Sequence, residues 1–178
     1  LGGCSSINGM LYLRGQARDY DHWRQLGNAG WGWDDVLPYF KRHEDYYAGA
    51  DEMHGAGGEW RIERQRLSWE ILDAFADACA AAGIPKTADF NRGNNLGVSY
   101  FRVNQKAGWR WNTARGFLGP AKGRTNLTIL THAEASGLVL EGRRARGVYF
   151  RQKGEARTAR ARREVILSAG AVNTPQLL

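Results

Sequence analysis

Apolar positions recur at helical spacing in three stretches of the chain. Residues 19–26 form a short helical stretch that stops at Gly27. A second helix is predicted from Asp34 or Asp35, either of which can cap it, to His43. Leu37 and Phe40 mark its inward stripe, and Pro38 falls near the end of the first turn, where it removes at most one backbone hydrogen bond. The strongest pattern is residues 68–82. There Ile71, Leu72, Phe75, Ala78, Cys79 and Ala82 form one apolar stripe, Gly83 closes the helix, and Cys79 reads as a small buried hydrophobe.

Elsewhere the period falls to two. Residues 59–63 read as a short strand with Trp60 and Ile62 on one face. Residues 97–111 read as two strands around Ala107-Gly108, and 112–118 as a short helical piece. Then 126–131, 137–140, 146–150, an arginine-rich strand beyond the turn at Lys153-Gly154, and 164–168 predict β-structure with tight turns. Val165-Ile166-Leu167 is continuous and apolar, the pattern of a strand buried on both faces. Ala169-Gly170-Ala171 follows it, and Asn173-Thr174-Pro175 starts a helix. Gly49, Gly55, Gly57 and Gly58 make residues 48–58 a loop. The mixed order of elements predicts an α+β (mixed α/β) fold.

Composition narrows the classes. Hydrophobic residues are 43% and charged residues 24% of 178, which is globular and excludes a disordered polymer. The 23 glycines follow no period, which excludes collagen. Cys4 and Cys79 make no disulfide framework, which points to a reducing, cytoplasmic compartment. No apolar run approaches the roughly 18 residues needed to cross a bilayer. The chain opens Leu1-Gly2-Gly3 without an initiator methionine and reads as an internal fragment.

The formal charge of +7 is local. Residues 141–163 carry nine basic side chains against Glu141 and Glu155, and the rest of the chain is balanced. Such a patch fits a nucleic-acid footprint or the solvated face of a hairpin. Alternation with Val148 and Phe150 favours the hairpin.

Two places suit a ligand. In Gly2-Gly3-Cys4-Ser5-Ser6-Ile7-Asn8-Gly9 the glycines let backbone approach a ligand, and exposed N–H groups suit an anion such as a pyrophosphate. The bland alternative is a serine-capped turn that binds nothing. The strand–Ala169-Gly170–helix junction is how many open α/β sheets meet a nucleotide cofactor, although ordinary close packing gives the same pattern. His22, His43, His54 and His132 have no metal-ligand spacing, and no Asp or Ser partner is evident for any of them.

Residues 1–10, LGGCSSINGM, followed by Tyr12, Arg14-Gly15 and Asp19-Tyr20-Asp21-His22-Trp23, closely resemble the first signature of the glucose–methanol–choline (GMC) flavin oxidoreductases. Residues 170–178, GAVNTPQLL, resemble the start of the second. Trp31-Gly32-Trp33, His54-Gly55, Gly97-Val98, Thr113-Ala114-Arg115 and Asn126-Leu127-Thr128 occur between them in the family's order, and the resemblance is nearest to the choline-dehydrogenase and alcohol-dehydrogenase (acceptor) branch.

The resemblance implies an enzyme that oxidises a small primary alcohol, choline-like or aliphatic, to an aldehyde by hydride transfer to FAD. It implies that residues 1–39 and 125–178 belong to an FAD-binding, Rossmann-like domain and 40–124 to a sheet-and-helix substrate domain. Gly2, Gly3, Cys4, Asn8, Gly9, Met10 and Leu11 would pass along the pyrophosphate and the isoalloxazine. Ala135, where relatives usually carry Val, would bond adenine through its backbone, and Ala169 and Gly170 would lie near the ribityl chain. Some members attach FAD through a histidine at the position of Ile7, so binding here would be non-covalent. The family's GxGxxG strand–helix unit would precede Leu1 and its catalytic His–His or His–Asn pair would follow Leu178. Hence no catalytic and no metal-binding residue is expected in this chain, and residues 1–178 alone would show no turnover. Two further expectations are self-association through open sheet edges and, beside a cytoplasmic location, peripheral attachment to a bacterial inner membrane. The competing expectation is a basic α+β module that binds nucleic acid through residues 141–163.

Overall fold

A computed structural model describes residues 1–178, which form two compact units, Leu1–Arg124 and Thr125–Leu178. No helix is long and apolar enough to cross a membrane.

The first unit opens with a 3-10 turn, Gly3–Ser6, and strand β1, Leu11–Tyr12. Helix α1, Ala17–Gln25, starts where Asp19 accepts the backbone N–H of Gln16 at 2.7 Å. Helix α2, Trp33–His43, uses the same device, with Asp35 accepting the N–H of Gly32 at 3.0 Å. The predicted aspartates therefore act from inside the first turn, and Gly32 is the N-cap. Strand β2, Glu44–Tyr46, runs parallel to β3, Trp60–Arg64, with Tyr46 opposite Ile62. The loop between them doubles back so tightly that a Cβ on Gly55 would sit 1.8 Å from the Lys41 carbonyl oxygen, so only glycine fits.

Helix α3, Glu70–Ala81, ends at Gly83, where the Ile84 N–H reaches the Cys79 carbonyl, a Schellman closure. Strands β4, Arg102–Val103, β5, Gln105–Lys106, and β6, Trp109–Arg110, follow. Ala107 and Gly108 both have positive φ, which makes the predicted β5–β6 turn type I′. A π-helical segment, Ala114–Leu118, runs into a short helix α4, Gly119–Ala121. The sheet order is β1-β4-β3-β2, and its buried centre is Tyr12, Tyr46 and Ile62, with Trp60 and Tyr47 packed beside them.

The stripe of α3 is where pattern and burial part. Ile71 is 73% exposed and Phe75 61%, no residue of the helix is buried, and Cys79 is half-buried. Periodicity shows which face seeks cover; within residues 1–178 nothing supplies it.

The second unit is an antiparallel sheet ordered β7-β8-β9 with a helix. The strands are β7, Ala133–Glu141, β8, Arg144–Gln152, and β9, Glu155–Arg160; the helix is α5, Gly170–Leu177. Lys153 and Gly154 both take positive φ, again type I′. Residues 126–131 form no strand. Their neighbour β8 turns away at Lys153, just past the Ala133–Gln152 pair, so no strand pairs with them, although Gln152 Nε2 donates to the Thr131 carbonyl at 2.9 Å. Residues 164–168 also form no strand, and Ile166 is 78% exposed. A strand buried on both faces needs a neighbour at each edge, and the sheet ends at β9 without taking these residues in.

Candidate functional site

In the first unit, residues 2–11 form one continuous turn. Gly2 has φ +99 and Gly3 φ +54, and a Cβ on Gly3 would meet no atom within 4 Å, so its backbone is open to a ligand. The turn is fastened from behind by residues 104–113. Ser5 Oγ accepts the Thr113 N–H at 3.0 Å, and Thr113 Oγ1 donates to the Gly2 carbonyl at 3.1 Å. Asn112 Nδ2 donates to Ser6 Oγ, and the Asn104 N–H to the Met10 carbonyl. Arg110 Nη1 reaches three oxygens, those of Ser5 (3.1 Å) and Asn8 (2.7 Å) on the backbone and Asn8 Oδ1 (3.0 Å). Gly3, Cys4, Ile7, Asn8 and Gly9 remain exposed. The expected candidates Gly2, Gly3, Cys4, Asn8, Gly9, Met10 and Leu11 thus lie along this one turn, with Gly3, Cys4, Asn8, Gly9 and Leu11 exposed and Gly2 and Met10 half-buried.

In the second unit, Ala135 and Ala169 line the same cleft of about 610 Å³. Glu134, Ser136, Asn173 and Gln176 supply its polar atoms. Ala135 lies at a bulge in β7, where the register with β8 shifts before Gly137. The Ala169 N–H is held by Thr174 Oγ1 at 3.0 Å, and Gly170 follows with φ +89 and open space where a Cβ would be. Distant sequence positions therefore converge on one recess.

The structure also builds a charged cluster that the sequence did not reveal. His54, in the loop that follows β2, and Glu44, the first residue of β2, are fully buried. His54 Nδ1 lies 3.1 Å from Glu44 Oε2 and Nε2 lies 2.8 Å from Asp89 Oδ2. Both ring nitrogens face carboxylates, so both must donate and the ring is an imidazolium. Burial opposes that charge, but the bonds to Asp89 and Glu44 outweigh it and raise the His54 pKa. Burial likewise opposes the charges on Glu44 and Asp89. Bonds to His54 overcome it in both, aided by Arg14 at Glu44 and by the Asn91 backbone at Asp89, and both carboxyls titrate below their usual values. Arg14 Nη2 stands 2.8 Å from Glu44 Oε1, Tyr46 OH donates to Asp89 Oδ2, and the Tyr46 ring stacks on His54 at 3.7 Å. His43, by contrast, is half-buried against Phe40 and Phe117, and burial lowers its pKa.

The basic stretch forms β8, β9 and their flanks. All six residues of β9 are exposed, with Arg157 and Arg160 on opposite faces. Arg146 and Arg160 both reach Glu141, Arg157 reaches Glu155, and Glu134 stands opposite Arg151. Carboxylates thus pair with Arg146, Arg157 and Arg160, as on a solvated hairpin, and the other basic residues of 141–163 form no ion pair.

A family model described as GMC oxidoreductase matches residues 1–178. The oxygen-dependent choline dehydrogenase of Brucella anthropi is 43% identical over 178 residues, covering 100% of this chain and 32% of that protein. The mitochondrial choline dehydrogenase of Homo sapiens is 40% identical over 99% of this chain and 30% of its own length. The chain thus spans about a third of the length of these curated relatives. Among solved structures, pyridoxine 4-oxidase from Mesorbium loti aligns with a TM-score of 0.91 and 34% identity over 97% of this chain and 34% of that one. An FAD-dependent oxidoreductase from Chaetomium thermophilum aligns with a TM-score of 0.93 and 28% identity over 99% and 33%. With a family model matched from the first residue to the last, the chain belongs to the GMC oxidoreductases.

Proposed function

We propose that residues 1–178 form part of the FAD site of an enzyme that oxidises a small primary alcohol, choline-like or aliphatic, to an aldehyde. The observation that carries this reading is the pre-shaped turn of residues 2–11, fastened from behind and open at Gly3. It supports Gly2, Gly3 and Cys4 as neighbours of the pyrophosphate, and Asn8, Gly9, Met10 and Leu11 as contacts of the isoalloxazine. The recess in the second unit supports Ala135 as the adenine contact and Ala169 as a contact near the ribityl chain, and the open backbone of Gly170 beside it supports the same for Gly170. Residues 1–39 and 125–178 are assigned to the FAD domain and 40–124 to the substrate domain. The relatives named for choline and the structure named for pyridoxine support an alcohol substrate.

When bound, FAD would supply the hydride acceptor. The chain's own part is to bind and orient it through backbone N–H groups of the glycine turn, which cost no rearrangement when an anion arrives. Ile7 offers no nucleophile, so the flavin is held non-covalently. None of the four histidines is assigned as the base. His54, the most perturbed, is sealed from solvent with both nitrogens committed to carboxylates, and it cannot accept a substrate proton.

The full-length protein, purified and denatured with acid, should release a yellow, protein-free supernatant. Before denaturation, choline or a short aliphatic alcohol added without oxygen should bleach the flavin. A colourless protein that takes up no FAD on reconstitution overturns the reading.

A further inference from the structure

Arg110 bridges Ser5 and Asn8 in the middle of the turn of residues 2–11. It stands on β6, and all three hydrogen bonds of its guanidinium run through Nη1 to the oxygens of Ser5 and Asn8. No carboxylate neutralises it; every ion pair of the chain lies elsewhere. The Met10 N–H, at a residue with φ +62, converges on the same Asn8 Oδ1 at 3.0 Å.

Two donors meeting one atom of an amide settle which atom it is. Arg110 Nη1 and the Met10 N–H can only be accepted, so the carboxamide oxygen faces them. Asn8 Nδ2 then keeps two N–H donors that no protein group uses, on an exposed residue. With Arg110 absent, only the Met10 N–H would hold the amide, and the side chain would rotate among its rotamers.

We propose that Arg110 is a positioning residue for the flavin: it locks the Asn8 carboxamide so that its N–H edge is presented to acceptor atoms of the bound cofactor. This rests on the assignment of residues 2–11 to the FAD site. Because Arg110 acts through Asn8, the two residues form one functional unit.

The test uses full-length protein, stripped of flavin and titrated with FAD, with the dissociation constant and the visible flavin spectrum as readouts. Arg110→Ala should weaken FAD about tenfold, the worth of one well-placed hydrogen bond or slightly more. Asn8→Ala should do the same, and the double variant should lose less than the sum of the two single losses, the remainder being the Arg110 bonds to the Ser5 and Asn8 backbone. Asn8→Asp keeps an acceptor for Arg110 and so keeps the turn, yet presents no N–H. It should melt like the parent protein, bind FAD about tenfold more weakly and shift the flavin spectrum. Arg110→Lys should lie between parent and Arg110→Ala. Unchanged FAD affinity and spectrum in Arg110→Ala, additive losses in the double variant, or unchanged affinity in Asn8→Asp would each overturn the positioning role while leaving the flavin assignment intact. If Arg110→Ala does not fold, Arg110→Lys tests the arginine, and FAD affinity and spectrum equal to the parent in that variant overturn its role, while Asn8→Asp tests the N–H edge. A parent protein that binds no FAD sinks the flavin assignment, and this role with it.

Discussion

Arg14 in the first unit and Arg146 in the second each stand beside a glutamate at nearly the same distance. Arg14 Nη2 lies 2.8 Å from Glu44, with the two side chains 1% and 0% exposed. Arg146 Nε lies 2.9 Å from Glu141, with 35% and 56% exposure. Distance alone would call the pairs equivalent; burial makes them different objects. Glu44 must answer Arg14, His54 and the Gly55 N–H with no water to help, so removing any one member leaves a charge stranded. Around Glu141, water and ions replace whatever is taken away.

The largest effect expected from this contrast is at Glu44. Glu44→Gln preserves shape but leaves the Arg14 guanidinium, which cannot shed its proton, facing a neutral amide. The full-length protein should lose about 3–5 kcal/mol of stability. Urea denaturation followed by tryptophan fluorescence reads this, and all seven tryptophans of residues 1–178 lie in the first unit. A loss below about 1 kcal/mol, the level of a surface pair, would erase the distinction between the two arginines.

A second effect follows from the titrations. The His54 pKa is raised above its ordinary 6.5. Its stabilising contribution is therefore complete below pH 6.5 and fades as pH climbs through the raised value. Glu44 and Asp89 titrate below their ordinary 4.5 and 3.8. Their contribution is complete above those values and fades as pH falls through the lowered ones. The cluster is thus strongest between about pH 4.5 and 6.5 and weakens on both sides. In urea midpoints measured against pH, His54→Gln should remove the decline on the alkaline side and shrink the acid one, because bonds to His54 do most to hold the Glu44 and Asp89 pKa values down. An alkaline decline of the same size in that variant would show that groups other than His54 control it.

Much of the framework was legible because its causes are local. Ala107-Gly108 and Lys153-Gly154 announced their turns through residues that tolerate positive φ, and α1 and α2 began within two residues of their predicted starts. The turn of residues 2–11 was legible for a different reason: its glycines and serines sit at fixed offsets in one short stretch. The cluster was not. Its members Arg14, Glu44, His54 and Asp89 are spread over 76 positions and meet only once β2 and β3 pair in parallel and the glycine loop closes over them. A histidine directly before Gly55, where backbone meets backbone, was the single available hint. Burial of α3 and residues 164–168 was misread because periodicity reports what a segment seeks rather than what lies over it.

The smallest effect belongs to the hairpin, and it bears on the nucleic-acid alternative. Arg146→Ala or Arg160→Ala removes one of two cations sharing Glu141, and the other remains to pair with it. Each change should cost at most about 0.5–1 kcal/mol, less in high salt. If this surface gripped a phosphate backbone, the same substitutions would lower affinity for double-stranded DNA and flatten its salt dependence by about one unit of slope each. Carboxylates already occupy three of these arginines, so the full-length protein should show only weak DNA binding, and the two substitutions should leave it unaltered. Tight binding lost in Arg146→Ala and Arg160→Ala would mean that the arginines prefer phosphate to Glu141, and the reading of β8 and β9 as a solvated hairpin would fall.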